Sequence, residues 1–266
     1  MSNEHTMAAK PRVRLLVSVI APEEAEAALA GGADIVDVKN PTEGSLGAAP
    51  PGVLRAIRAR VPRPVSVSAA LGDAPHLPGT MALAAAGAAG CGADYVKIGL
   101  LGSARPEQAL DMLVAVRQAV VDANPTTRLI AVAYADAAGI GALSPAELPF
   151  IAREAGVHGV MLDTYAKDGV STRTVLGDAA VASFVGQGKS LGLLTAVAGA
   201  VGRHDAEWVR RLDVDIVGVR GSVCEGGRHG TVSQARVLAL GAAIRAPGQA
   251  TAPSSVHLIP SGPERP

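Results

Sequence analysis

The chain has 266 residues, 48% of them apolar but only 2% aromatic, with 24 basic residues against 24 acidic ones. That length suits one large domain, and a core of Ala, Val, Leu and Ile suits a parallel sheet covered by helices. Balanced charge with no basic run excludes a surface that tracks a phosphodiester backbone, so nucleic acid is not an expected partner.

Residues 1–12 are polar, lack the apolar stretch of a secretion signal, and are read as a flexible tail. Beyond them, β-branched runs alternate with helical stretches, the pattern of parallel βα units. Strands are expected at Arg14 to Ile20, Asp34 to Asn40, Pro64 to Ala69, Tyr95 to Gly99, Arg128 to Ala135, Gly159 to Thr164, Ser190 to Gly199 and Asp215 to Gly221. Helix starts are signalled by Pro22-Glu23-Glu24, by Arg105-Pro106-Glu107 and by Ser144-Pro145-Ala146-Glu147, the last ordered as a serine cap, a proline and a capping-box glutamate. Turn motifs AGGAD, AGCGAD and EAGVHG precede several strands and return the chain to the sheet.

Eight strands close a barrel, so the expected class is α/β, a single-domain (β/α)8 TIM barrel over residues 13–246, followed by a Pro/Ser-rich flexible tail at 247–266. No segment offers about 18 uninterrupted apolar residues, so no membrane span is expected. Cys91 and Cys224 stand far apart without metal-ligand spacing. Neither a metal site nor a disulfide is expected, and a reducing cytoplasm fits. The alanine-rich helices allow self-association, with no number of copies set.

In this architecture chemistry gathers at the carboxyl ends of the strands. Only five lysines occur, against nineteen arginines. Three of the five, Lys39, Lys97 and Lys167, fall at or just beyond such ends. A lysine desolvated in an apolar strand has a depressed pKa and becomes an amine able to attack a carbonyl; salt bridging to Asp37 or Asp163 is the competing structural role. Asp37 and Lys39, two residues apart, point to one side of their strand, placing a carboxylate below an amine. Asp163 and Lys167 put a second carboxylate and amine near the same mouth, as a proton relay needs.

Glycine-rich loops follow the seventh and eighth strands, where such barrels hold phosphate. They nominate Gly199, Gly221 and Ser222, with Arg220 as a fixed charge. The turn-rich KNPTEGSLGA after Lys39 reads as a lid, with Asn40, Glu43 and Ser45 as substrate contacts or simple loop residues. Ser18, Ser68, Tyr134 and Asp136 also occupy upper strand ends and are read as supporting groups, whereas His158 precedes a strand at the stability end.

The motifs VDVKNPTEGSLGA, YVKIGL, MLDTYAKDG and DIVGVRGSVCEGG, in this order between about Arg14 and about Ile244, closely resemble the (5-formylfuran-3-yl)methyl phosphate synthase family, which makes the furan precursor of methanofuran. The resemblance implies a cytoplasmic barrel lyase that joins two molecules of glyceraldehyde 3-phosphate, releasing phosphate and water, with no metal or organic cofactor. The family's catalytic lysines match Lys39, Lys97 and Lys167, and its carboxylates match Asp37 and Asp163. Lys39 looks like the Schiff-base residue, with Lys97 a candidate that spacing leaves open. Two other readings compete. One is a class I aldolase on another small sugar phosphate; the other is a non-catalytic barrel that binds a phosphorylated metabolite.

Overall fold

The computed structural model describes residues 12–246. Of the two expected tails, 1–11 and 247–266 lie outside the described residues. Eight parallel strands close a barrel in sequential order: β1 (Arg14–Val19), β2 (Ile35–Val38), β3 (Ser66–Asp73), β4 (Tyr95–Gly99), β5 (Arg128–Tyr134), β6 (Gly159–Asp163), β7 (Leu194–Val197) and β8 (Ile216–Val219). Around them run α1 (Pro22–Ala30), α2 (Pro51–Arg60), α3 (Pro78–Gly90), α4 (Pro106–Ala123), the short α5 (Ala137–Ile140), α6 (Leu148–Glu154), the short α7 (Thr172–Leu176), α8 (Asp178–Ser190), α9 (Ala206–Leu212) and α10 (Gln234–Arg245). A small hairpin, β9 (Cys224–Glu225) with β10 (Thr231–Val232), sits between β8 and α10.

Alternation along each strand divides the core in two. Val17, Val36, Val67 and Val96 face the helices, while Leu16, Ile35, Tyr95 and Ile130 fill the barrel. With both faces buried, the strands read as nearly unbroken apolar runs. No helix among the described residues is long and apolar enough to cross a membrane.

The returns into the even strands carry a recurring pin. Asp34, Asp94 and Asp215, just ahead of β2, β4 and β8, accept the backbone N–H of Leu15, Val67 and Thr195 on the preceding strand, each at 2.8 Å. Ahead of β6 His158 takes that place, its Nδ1 accepting from Leu129 N at 3.1 Å, and burial lowers the imidazole's pKa. Each pin satisfies an amide at the strand's open end.

Three boundaries depart furthest from expectation. β3 continues to Asp73, four residues past the expected end. β7 begins only at Leu194, because Ser190 closes α8 and Gly192 turns the chain with φ +74°. The expected serine cap at Ser144 is instead a turn, with Glu147 N bonded to Ser144 O, and α6 starts at Leu148. Pro149 explains the delay: it has no N–H to donate one turn back, so it is tolerated only in the first helical turn.

Candidate active site

The carboxyl ends of β2, β4 and β6 bring the three lysines and two aspartates together. Asp37 is fully buried, and its Oδ2 accepts from both Ser18 Oγ and Lys97 Nζ at 2.8 Å. Its ion partner is therefore Lys97, two strands away, and not Lys39, two residues away. The small inward side chains of β3, Ser68 and Ala70, lie in register with Asp37 and Lys97 and leave room for the lysine to reach across. At β6, Lys167 Nζ donates to Asp163 Oδ1 at 2.6 Å, and Thr164 N donates to the same oxygen at 2.8 Å. Lys167 and Lys39 hold the Asp163 carboxyl below its usual range against the opposing effect of burial.

Lys39 is left over. It is buried, and among the described residues no carboxylate lies within ion-pair distance of its amine. Burial lowers its pKa from 10.5 to about 7; Lys167 and Lys97 push the same way, while Asp163 and, less strongly, Asp37 oppose. At neutral pH Lys39 thus has a large neutral fraction, beside two lysines that are each paired with an aspartate.

A cavity of about 600 Å³ opens above these groups, walled by Lys39, Lys97, Asp163, Lys167 and the loops after β7 and β8. Gly199, Arg220, Gly221 and Ser222 line it; Asp37 and Asn40 do not. Asp37 therefore supports Lys97 from beneath. Asn40 is engaged in its own loop, where Oδ1 accepts from Thr42 N and Oγ1 and Nδ2 donates to Glu43.

Arg220 departs most from expectation. Its Nε donates to Arg228 O, Nη1 to Ser18 O and Glu24 Oε2, and Nη2 to Glu24 Oε1 and Gly230 O. A guanidinium has five N–H groups. All are engaged, so Arg220 is a buried pillar paired with α1 that has no donor left for a phosphate.

The two loop glycines also differ. Gly199 has φ +85°, and an added Cβ would collide with Thr172 Oγ1 and come within 3.1 Å of Thr164 N. At Gly221 the nearest atom to such a Cβ, Arg228 N, is an ordinary 3.6 Å away. Gly199→Ala is expected to cost about 2 kcal/mol or more, through backbone strain and overpacking. Gly221→Ala should fold normally; denaturant melts of the two variants check this.

The loop from Asn40 to Gly47 crosses the mouth. Ser45 Oγ donates to Thr164 O, just beyond the diametrically opposite strand β6, at 2.8 Å, Leu46 N donates to Asp73 Oδ2 at 3.1 Å, and Arg228 Nη2 donates to Gly44 O at 2.8 Å. Leu46 is fully buried against the β3–β5 side. There Tyr134 Oη donates to Asp73 Oδ1 at 2.5 Å, and burial first, then Asp73, raises the phenol's pKa. Asp136 secures the neighbouring loop by accepting Tyr165 N and Ala166 N. Sequence reading missed Asp73, which it placed beyond β3, and Arg228, whose only signal is an arginine among glycines in CEGGRHG.

Comparison with known proteins adds independent findings. Residues 15–241 match the family model described as 4-HFC-P synthase. The (5-formylfuran-3-yl)methyl phosphate synthase of Methanocaldococcus jannaschii is 47% identical over 213 residues, covering 80% of this chain and 91% of that protein. The protein of the same name from Methanosarcina mazei is 46% identical over 222 residues, 84% of this chain and 95% of that one. Among solved structures, KGPDC from Streptococcus mutans aligns with a TM-score of 0.63 at 14% identity, covering 88% of this chain and 97% of that one. Phosphoribosyl anthranilate isomerase from Thermus thermophilus gives 0.58 at 18%, covering 87% and 98%. At such low identities these two speak for the barrel fold alone.

Proposed function

This chain belongs to the 4-HFC-P synthase family, and from that premise we propose that it condenses two molecules of glyceraldehyde 3-phosphate into (5-formylfuran-3-yl)methyl phosphate through an imine on Lys39. The observation that carries the assignment is the division of the amines: Lys97 and Lys167 each hold a carboxylate, and Lys39, with a pKa of about 7, does not. A neutral desolvated amine is the nucleophile this chemistry needs, and a lysine bound to a buried aspartate is not. The same division favours Lys39 over Lys97.

In the proposed sequence the amine of Lys39 adds to the first aldehyde and water leaves, giving a protonated imine that acts as an electron sink. Asp163, the one of the two carboxylates that reaches the cavity, takes the adjacent C–H proton, and the enamine carbon bonds to the second aldehyde. Lys167, 2.6 Å from Asp163, returns protons to departing oxygens during phosphate elimination, ring closure and dehydration. Two trioses minus one phosphate and two waters balance the furan product, and hydrolysis of the final imine restores the amine. Backbone at Gly199, Gly221 and Ser222 holds a phosphate. The cavity, about 600 Å³, falls within the range usual for small-molecule sites. Two buried free thiols fit a reducing cytoplasm.

The test is incubation with glyceraldehyde 3-phosphate alone, following furan absorbance and released phosphate, with borohydride trapping and mass mapping of the adduct. Absence of furan, or an adduct elsewhere than Lys39, overturns the assignment. The rate of imine formation should fall about tenfold per pH unit below pH 7, as Lys39 protonates, and level off above it. A limb near pH 10 would mean an ordinary amine.

A further inference from the structure

Two phosphorylated trioses in one cavity bring two anions, and a buried anion without countercharge or hydrogen bonds is costly. Backbone N–H groups at the β7 and β8 loops answer for one. The charged side chains deep in the wall do not answer for the other: Lys97 is bound to Asp37, Lys167 to Asp163 and Arg220 to Glu24.

Two arginines of the wall have no ion pair among the described residues, Arg203 and Arg228; Arg203 is exposed to solvent, and Arg228 is the more buried of the two. It lies on the 3-10 turn Gly227–His229, lines the cavity and is half-buried. Among the described residues no carboxylate comes within ion-pair distance of it, and its one side-chain hydrogen bond is Nη2 to the Gly44 carbonyl. Four of its five N–H groups therefore have no acceptor among the described residues. Burial disfavours the charge, with Asp163 the main opposing influence. A guanidinium resists deprotonation in proteins, so the site keeps a cation with no carboxylate partner among the described residues.

Resting on the condensation of two triose phosphates, the geometry points to Arg228 as the subsite for the second phosphate. The fork geometry of a guanidinium matches a phosphate bidentately. Because the same side chain holds Gly44, the anion that fixes Arg228 also fixes the loop across the mouth. Filling the second subsite thereby orders the loop that adjoins the cavity through Gly44.

Arg228→Gln and Arg228→Lys test this against the unaltered enzyme with three readouts. Borohydride trapping of the first triose on Lys39 should change by less than about twofold, since the first phosphate is held elsewhere. The triose concentration for half-maximal furan formation should rise about tenfold or more in Arg228→Gln and less in Arg228→Lys. Inorganic phosphate should slow amide exchange of residues 40–47 in the unaltered enzyme and not in Arg228→Gln. Unchanged half-saturation, or phosphate protection that survives in Arg228→Gln, overturns the subsite; so does the absence of any protection in the unaltered enzyme. Should Arg228→Gln fail to fold, Arg228→Lys carries the decision: half-saturation and protection equal to the unaltered enzyme overturn the subsite, and weakening of both supports it. Failure of the condensation reads differently: no furan from the unaltered enzyme, with Arg228-dependent phosphate protection intact, removes the reaction and leaves the anion site.

Discussion

Replacing Lys39 by methionine is expected to abolish furan formation, by about four orders of magnitude or more, and at the same time to stabilise the protein. The loss follows from removal of the only amine in the cluster without a carboxylate of its own. The gain follows from linkage. Lys39 titrates at about 7 in the fold and near 10.5 when exposed. Between those values the unfolded chain binds more protons, so stability rises with pH across that window. Below pH 7 the whole cost of burying the charged amine is present, on the order of 5 kcal/mol; above 10.5 it has vanished. The melting temperature of Lys39→Met should therefore exceed that of the unaltered protein by several degrees at pH 6, with the margin shrinking toward pH 10. Equal melting temperatures at pH 6 would contradict a strained amine.

The second large effect is expected at Asp163. Asp163→Asn should reduce turnover by about two to four orders of magnitude, because the relay loses its base. It should also move the acid limb of imine formation below pH 7, since Asp163 is the strongest influence raising the Lys39 pKa. Lys167→Met removes a group that lowers it, and its limb should move above pH 7. Opposite shifts from two residues in one ion pair separate an electrostatic role from simple loss of packing. Shifts of the same sign, or none, would show that Lys39 does not sense the pair.

Much of this site was legible because strand position and scarcity of lysine both point at the same residues. Periodicity located eight strands, and a composition that otherwise prefers arginine singled out Lys39, Lys97 and Lys167. Partners were less legible, because they depend on what neighbouring strands leave open. Spacing joined Asp37 to Lys39, yet the small β3 side chains hand Asp37 to Lys97, 60 positions away. Arg220 read as a phosphate ligand because its partner Glu24 lies 196 residues earlier, on α1. Arg228 was hidden for the converse reason: what marks it is the lack of a carboxylate, which only three-dimensional surroundings disclose.

The pins beneath the even strands have a consequence for assembly. Each joins a strand to its successor across only 19 to 29 residues of chain, so the entropy of closing those loops is small and the contacts are local. The same even strands bear Lys39, Lys97, Asp163 and Arg220 at or just beyond their other ends. Each ionisable group is therefore expected to enter the closing barrel on a strand already clipped to a neighbour. The pair between Lys97 and Asp37, on strands two apart, is expected to form later, once the ring is shut.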